Sequence, residues 1–84
     1  MDAIVAQRIA DYVEKRQSQN NRELQKGKRA IRALADRLPA TTDPVDRMLV
    51  KKVIADMAKR QHYLKMSNNY LGVLLSNNRE DTNA

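Results

Sequence analysis

The chain has no cysteine, tryptophan or phenylalanine, and only one histidine, two glycines and two prolines among its 84 residues. The lack of cysteine excludes disulfide bonds and thiolate zinc sites, and it is typical of proteins in a reducing cytoplasm. Few glycines and prolines leave few positions for turns. Alanine, leucine, lysine, arginine, glutamine and glutamate are abundant, and all favour helices. We therefore predict an all-α fold with one domain, residues 1–84.

Long hydrophobic runs are also absent. The longest, Tyr70–Leu75, is interrupted by Gly72, whereas a helix that spans a bilayer needs about 20 apolar residues. The first residues, Met1–Ala3, include an acid and lead into neither a basic stretch nor a long apolar run, so we predict no signal peptide. We expect a soluble, cytoplasmic protein without a membrane segment.

One segment, LPATTDP, interrupts the helical composition near the middle of the chain. Pro39 disfavours a helical conformation at the residue before it. Asp43 suits the N-cap of a second helix, and Pro44 suits its first turn. This segment predicts a turn between two arms of nearly equal length.

In both arms, mostly apolar residues recur at alternating spacings of three and four, as in helices that pack against each other along a line of contact. We call this line the seam. In the first arm the seam passes through Ala3, Ala6, Ala10, Val13, Gln17, Asn20, Leu24, Gly27, Ile31, Leu34 and Leu38. In the second arm it passes through Val50, Val53, Met57, Leu64, Leu71 and Leu74, with Arg60 and Ser67 in the gaps. We predict a long antiparallel hairpin of two helices, about 2–38 and 44–77, with a frayed tail at 78–84.

The stretch EKRQSQNNRE in the first arm contains no apolar side chain, yet the seam continues through it with amides. In the predicted hairpin Gln17 lies opposite Ser67, and Asn68 lies beside Ser67. A buried polar contact fixes the register of two helices at a cost in stability. We therefore predict that Gln17, Ser67 and Asn68 form a polar layer.

The alternative is a break in the first helix near residues 18–21. Asn20 would then cap a new helix, with Glu23 in the position that a capping box requires, and the chain would form three helices. Gly27 weakens a continuous helix by about 1 kcal/mol relative to alanine. On the seam, the same glycine would instead permit close approach near Met57.

Two helices cannot cover all of the apolar residues. Six are predicted to lie beside the seam and stay exposed: Ile4, Val5, Ile9, Ile54, Val73 and Leu75. Self-association would cover them, so we expect a dimeric four-helix bundle, with a different, larger protein as the alternative partner. An apolar partner-binding cluster at the open end of the hairpin is predicted from Ile9, Tyr12, Val13, Tyr70, Leu71 and Leu74.

The charge balance favours anionic partners, since 16 basic residues stand against 10 acidic ones, a net charge of +6. Seven basic residues that point away from the seam are predicted to form a patch near the turn: Lys26, Arg29, Arg32, Lys51, Lys52, Lys59 and Lys65. Such a patch would bind phosphates with a strong salt dependence, or an acidic protein surface. Charges of this kind also simply solvate helix faces in proteins that bind no anion.

No pattern in the sequence indicates catalysis, a cofactor or a metal site. His62 is the only histidine and lies on the outward side of the second arm, and no glycine-rich phosphate loop is present. We therefore expect a non-enzymatic interaction module, an adaptor, antagonist or chaperone that docks on a larger protein as a homo-oligomer. A nucleic-acid-binding regulator is the second hypothesis.

The outline of the chain resembles the small helical hairpins of type III secretion, the needle subunits and their co-chaperones. The resemblance lies in the chain length, the P-x-x-x-D-P loop from Pro39 to Pro44 and the two equal arms. It implies a helical hairpin subunit or co-chaperone as a third function. The tryptophan-containing segment of needle subunits has no counterpart here, and the net positive charge departs from their pattern. Small helical antiactivators and dimeric RNA-binding hairpins share the outline, so we assign no family.

Overall fold

The structure is a computed structural model that describes the backbone of residues 2–83 and the side chains of residues 2–79. Helix α1 spans Ala3–Arg37, a short 3₁₀ turn covers Leu38–Ala40, and helix α2 spans Pro44–Asn83. The helices pack side by side and antiparallel, and the Cα trace measures 62 × 14 × 12 Å. The predicted all-α hairpin is therefore confirmed.

Helix α1 runs through the polar stretch without interruption, so the three-helix alternative is wrong. Its N-terminus is capped by Asp2, whose Oδ1 accepts a hydrogen bond from the backbone N–H of Ile4 at 2.9 Å. Asn20 does not cap a new helix, because its side chain points into the hairpin and only 4% of the residue is exposed. Contact with the second helix holds the polar stretch in helical form.

The turn is held closed by side chains on both of its flanks. The hydroxyl of Thr41 donates to the carbonyl oxygen of Arg37 at 2.8 Å. Arg47, in the first turn of α2, donates from Nη1 to the carbonyl oxygens of Leu38 at 2.7 Å and of Thr41 at 3.2 Å. The bonds to Arg37 and Leu38 occupy carbonyl groups that the end of α1 leaves without helical partners.

The predicted start of the second helix is confirmed. Pro44 is its first residue, and Asp43 Oδ1 accepts from the backbone N–H groups of Val45 at 2.8 Å and Asp46 at 3.1 Å. The carboxylate thus satisfies two of the N–H groups that have no partner within the helix.

The second helix ends later than predicted, at Asn83 rather than near residue 77. Asn78 is 6% exposed, and its Nδ2 donates to the carbonyl oxygen of Ala6 at 3.0 Å. The expected end was too early because this contact with α1 holds the helix past the three consecutive polar residues at 76–78. Fraying of residues 78–84 stays a prediction, and residue 84 lies outside the described part of the chain.

The core is a single thin seam. Among the described residues, four apolar side chains are buried, namely those of Ala6, Val13, Leu64 and Leu71. In α1 the predicted seam residues are buried or half-buried, except that Ala3 is exposed, and Ala30 beside the seam is half-buried as well. Ile9, which was expected to stay exposed, is half-buried at the edge of the seam.

The seam of α2 differs from the prediction in the half of the helix near the turn, whereas Ser67 and Leu74 are half-buried as predicted. Val53 is 47% exposed, and Arg60 is exposed as well. Ile54 and Leu75, which were predicted to stay exposed, are half-buried instead.

The burial pattern of α2 differs from the prediction because the apolar stripe on this helix is wide. Apolar residues flank the line of Val50, Met57, Leu64 and Leu71 on both sides, so spacing alone does not determine which side turns inward. Contact with α1 determines which side turns inward. Gln61, next to Ile54 in the inward row, donates from Nε2 to the backbone carbonyl of Leu24 at 2.9 Å.

Neither helix, over the residues that the structure describes, contains an apolar stretch long enough to cross a bilayer.

Candidate functional site

The polar residues predicted to set the register meet near the middle of the hairpin. Gln17 Nε2 donates to the backbone oxygen of Asn68 at 3.4 Å. Asn20 Nδ2 donates to Ser67 Oγ at 3.2 Å and to Asn68 Oδ1 at 2.9 Å. Asn68 Nδ2 in turn donates to Asn21 Oδ1 at 2.9 Å. We call these five residues the polar waist.

Asn20 and Asn21 were absent from the predicted layer, although Asn20 lies at its centre. The prediction paired residues one to one across the hairpin, which places Asn20 opposite Leu64, whereas its amide reaches Ser67 and Asn68, about one helical turn further along the partner helix. The seam position of Asn20 was the signal that could have identified it.

The two long sides of the hairpin differ in character. Residues seven apart form a row along the same side of a helix that packs along a seam. A salt bridge between the helices shows which row of α1 lies on the same side of the hairpin as which row of α2. Arg60 Nη2 lies 2.9 Å from Glu23 Oε1. We call the side that carries this pair the apolar side, and its apolar members are Val5, Ile9, Tyr12, Ala30 and Ala33 on α1 and Leu49, Val53, Tyr63, Tyr70 and Leu74 on α2.

The apolar side holds six of the eleven large hydrophobic residues found exposed in the described chain. They fall into groups at its two ends. The open-end cluster consists of Val5, Ile9, Tyr12, Tyr70 and Leu74. The turn-end cluster consists of Ala30, Ala33, Leu49 and Val53. Between them lie charged residues, with the Glu23–Arg60 pair at the centre and the Arg60 guanidinium carbon 5.2 Å from the ring centre of Tyr63.

A shallow notch opens on the apolar side beside the salt bridge, lined by Gly27, Ala30, Met57, Arg60 and Leu64 among others. Gly27 lines this notch together with Met57, the residue near which Gly27 was predicted to lie. Its closest neighbour is nevertheless Gln61, since a Cβ built on Gly27 would lie 2.7 Å from Gln61 Oε1. The glycine gives Gln61 the room to reach the α1 backbone.

The six residues predicted to bind a partner do not share one environment. Tyr12 and Tyr70 are exposed, and Ile9 and Leu74 are half-buried at the open end. Val13 and Leu71 are only 1% and 5% exposed. Their assignment to a partner surface was wrong, because both are seam residues that the opposite helix already covers.

The seven basic residues predicted to form one patch are all exposed but point in different directions. Because the two helices pack against each other, side chains that point away from the seam on α1 and on α2 point in opposite directions. Arg32, Lys51 and Lys65 lie on the side opposite the apolar side, which we call the polar side, and Lys26 lies at the edge of the apolar side. Arg29 lies on the outer back of α1, whereas Lys52 and Lys59 lie on the outer back of α2.

Two other basic arrangements were missed. On the polar side, Lys28 and His62 line a shallow groove together with Lys65. On the outer back of α1, basic residues recur every seven positions without an intervening acid in that row: Arg8, Lys15, Arg22 and Arg29. The seven-residue spacing was the signal that could have revealed this row, which we call the basic ridge.

No protein-family model, curated protein or solved structure matches the chain. Within the described residues, no three histidine, aspartate or glutamate side chains converge in a way that could hold a metal ion.

Proposed function

We propose that the protein is a small non-enzymatic interaction module that self-associates through its apolar side and docks on a larger protein as an adaptor, antagonist or chaperone. The observation that carries this proposal is the concentration of exposed hydrophobic residues on one long side of a hairpin with very few buried ones. Tyr12 and Tyr70, both on the apolar side towards the open end, are 62% and 64% exposed.

Exposed hydrophobic residues scattered singly are ordinary, but contiguous groups with a polar border mark interaction surfaces. The apolar side fits the second description, since charged residues separate its two clusters and the polar side borders it. Tyrosine is enriched at protein interfaces, where its ring packs and its hydroxyl keeps a polar contact. Covering this side would also support a chain too short to build a large core.

The net charge of +6 adds a preference for acidic partners. The basic ridge and the cations of the polar side lie away from the apolar side, so they remain in water when that side is covered. Charges in such positions steer encounters and raise association rates more than they raise affinity. A larger partner with an acidic surface is therefore favoured.

Site-specific photo-crosslinking in cells of the native host tests this proposal. A photo-reactive amino acid replaces Tyr70 on the apolar side, and a matched variant carries it at His62 on the polar side, where the residue is also exposed. We expect discrete crosslinked protein bands from position 70, identifiable by mass spectrometry, and far weaker ones from position 62. Equal labelling from both positions, or none from position 70, would contradict the proposal.

A nucleic-acid-binding regulator is the second candidate, supported by the unbroken row of the basic ridge. Four cations recurring every seven residues extend over about 31 Å at 1.5 Å per residue, and each phosphate contact would make binding more sensitive to salt. Fluorescent duplex DNA and structured RNA are titrated at low and high salt. Binding that the double change Lys15→Glu/Arg22→Glu abolishes, and that Gln19→Glu weakens only slightly, would support this candidate; no binding at low salt would exclude it.

A further inference from the structure

We infer that the apolar side is covered by a second copy of this chain in a parallel two-fold dimer, with both turns at one end and α1 of each copy packed on α2 of the other. The inference rests on the proposed function and deepens it, because it names the partner and the side chains that recognise it. Three features support it: the order of apolar and charged residues along the two helices, the charges at the centre and the size of the surface.

Two contacts show which residues of the helices lie at the same height along the rod. Asn78 bonds to Ala6 near the open end, and Arg60 bonds to Glu23 near the centre. In these pairs the residue numbers add up to 84 and to 83. A two-fold axis that runs along the rod leaves every residue at its own height. Each α1 residue of the apolar side therefore faces the α2 residues of the second copy for which this sum holds to within about one helical turn.

The apolar residues of the open-end cluster then face one another. Ile9 comes opposite Leu74 of the second copy, and Tyr12 comes between that leucine and Tyr70 of the second copy. Both tyrosines are exposed in the single hairpin, and Ile9 and Leu74 are half-buried. The second copy covers all four side chains, and aromatic rings that meet in this way add specific packing to the area that they bury.

The turn-end cluster pairs small residues with large ones. Ala30 comes opposite Val53 of the second copy, and Ala33 comes between that valine and Leu49 of the second copy. Ala30 is half-buried in the single hairpin, and the other three residues are exposed. Small residues that face large ones let two helices pack closely without leaving a cavity.

Charged residues that share rows with the apolar ones also face residues of opposite charge. Three such pairs form between the copies: Glu23 with Arg60, Lys26 with Asp56, and Arg37 with Asp46. All six residues are exposed in the single hairpin. Among the described residues of this side, Arg16 alone has no acid opposite it, and its side chain is long enough to reach solvent at the edge of the contact. The order of charges along α1 is therefore complementary to the order along α2.

The charges at the centre alternate around the two-fold axis. The four helices form a square in which α1 and α2 alternate, so each Glu23 has Arg60 on both neighbouring helices, one in its own copy at 2.9 Å and one in the second copy. In an antiparallel stack each helix would pack on its own copy, and at full overlap the two Glu23 residues would lie within about one helical turn of each other. Such contacts between like charges disfavour the antiparallel stack, and the parallel dimer avoids them.

The size of the surface is sufficient for a stable complex. The rod is 62 Å long and 12 to 14 Å across. One long side therefore has an area on the order of 800 Å², which is about the area that each partner contributes to a standard protein interface. The contact must use most of the side, and a parallel dimer with both turns at one height keeps the whole length of the rods in contact.

Disulfide crosslinking tests the inference cleanly, because the natural chain contains no cysteine. Ala33→Cys, which carries a size tag, is mixed with a second single-cysteine variant and oxidised mildly. We expect efficient linkage to Val53→Cys, which lies at the same height on α2 of the second copy. We expect none to Tyr12→Cys, which would be the neighbour of position 33 in an antiparallel stack. The matched control is His62→Cys on the polar side, which is expected to remain unlinked.

The other outcomes overturn the inference in distinguishable ways. Linkage of Ala33→Cys to Tyr12→Cys, without linkage to Val53→Cys, would show an antiparallel stack. No linkage in any mixture, with a monomer in sedimentation of the unmodified protein, would show that no second copy covers the side. In that case crosslinking from Tyr70 to a different protein would leave the proposed docking on a larger protein standing, whereas its absence would remove both.

A charge-exchange experiment tests the same geometry without oxidation. Lys26→Asp and Asp56→Lys each place like charges opposite one another between two identical copies, whereas a mixed dimer of the two variants pairs opposite charges at both contacts. We expect each variant alone to dimerise about fivefold more weakly in sedimentation, because a two-fold dimer contains the contact twice. The equimolar mixture should recover the affinity of the natural chain.

The matched control is the mixture of Lys28→Asp and Asp11→Lys, which changes the net charges equally but on the polar side. We expect this mixture to dimerise no more tightly than its two components do. Equal recovery in both mixtures, or none with the changes at positions 26 and 56, would overturn the inference. Helicity measured by circular dichroism confirms that each variant is folded.

Discussion

The seam of the hairpin is apolar towards its open end and polar at its waist, and the two regions hold the helices together in different ways. Near the open end, Val13 and Leu71 are almost fully buried. Their contacts are non-directional and contribute free energy in proportion to the area they cover. The polar waist offers directional amide contacts instead, such as those from Asn20 to Ser67 and Asn68. Such contacts add little net free energy but disfavour other alignments.

The largest effect is expected at the apolar end of the seam. Leu71→Ala removes a side chain that is 95% covered, and we expect it to lower the free energy of unfolding by about 2–4 kcal/mol, because both buried area and packing are lost. Urea denaturation followed by circular dichroism measures the change, at protein concentrations low enough for the chain to be monomeric.

The neighbouring Tyr70→Ala provides the control for that measurement. Tyr70 is 64% exposed in the hairpin, so in the monomer we expect a change within about 0.5 kcal/mol. Comparable losses at positions 70 and 71 would show that α2 turns a different row towards α1 from the one described.

The polar waist is expected to show a smaller effect on stability. Asn20→Ala leaves Ser67 Oγ and Asn68 Oδ1 without their partner in a half-buried layer, and we expect a loss of about 1–2 kcal/mol in the same urea assay. The exposed neighbour change Gln19→Ala is the control and should have little effect. If Asn20→Ala left the free energy of unfolding unchanged, water would be replacing the amide, and the polar waist would not be a layer closed to solvent.

The general form of the hairpin could be predicted from particular residues. Pro39, Asp43 and Pro44 act through their own backbone geometry and capping chemistry, which are local and do not depend on the fold. The seam of α1 was also predictable, because its two rows are the rows of that helix that contain no charged residue. The continuity of α1 through residues 18–21 was less certain, since Asn20 is equally suited to a cap and to a buried contact.

The details of α2 and of the surfaces could not be predicted in the same way. Val53 and Ile54 are equally apolar and adjacent, so their order of burial depends on which neighbours α1 supplies. The direction of the lysines posed the same difficulty. Lys51 and Lys52 both point away from the seam, yet they belong to different sides of the hairpin, and only the paired structure distinguishes them.

The two glycines give a finer comparison of the seam. A Cβ on Gly72 would come no closer than 3.9 Å to Gln17 Nε2, whereas one on Gly27 would lie 2.7 Å from Gln61 Oε1. We expect Gly72→Ala to stabilise the chain by up to about 1 kcal/mol, because alanine favours helix. Gly27→Ala should gain much less, since Gln61 must move and its bond to Leu24 is weakened. Equal stabilisation at both sites, measured by thermal unfolding, would show that Gln61 is not held in place.

The smallest effect on the monomer is expected at the Glu23–Arg60 salt bridge. Both side chains are about half exposed, and exposed ion pairs typically contribute about 0.2–1 kcal/mol because water and salt screen them. We therefore expect Glu23→Gln to cost the monomer less than about 0.5 kcal/mol, and the difference to disappear in high salt. Urea denaturation of the variant at low and at high salt measures both quantities. A loss above about 1 kcal/mol, or one that persists in high salt, would contradict the description of this pair as an exposed salt bridge.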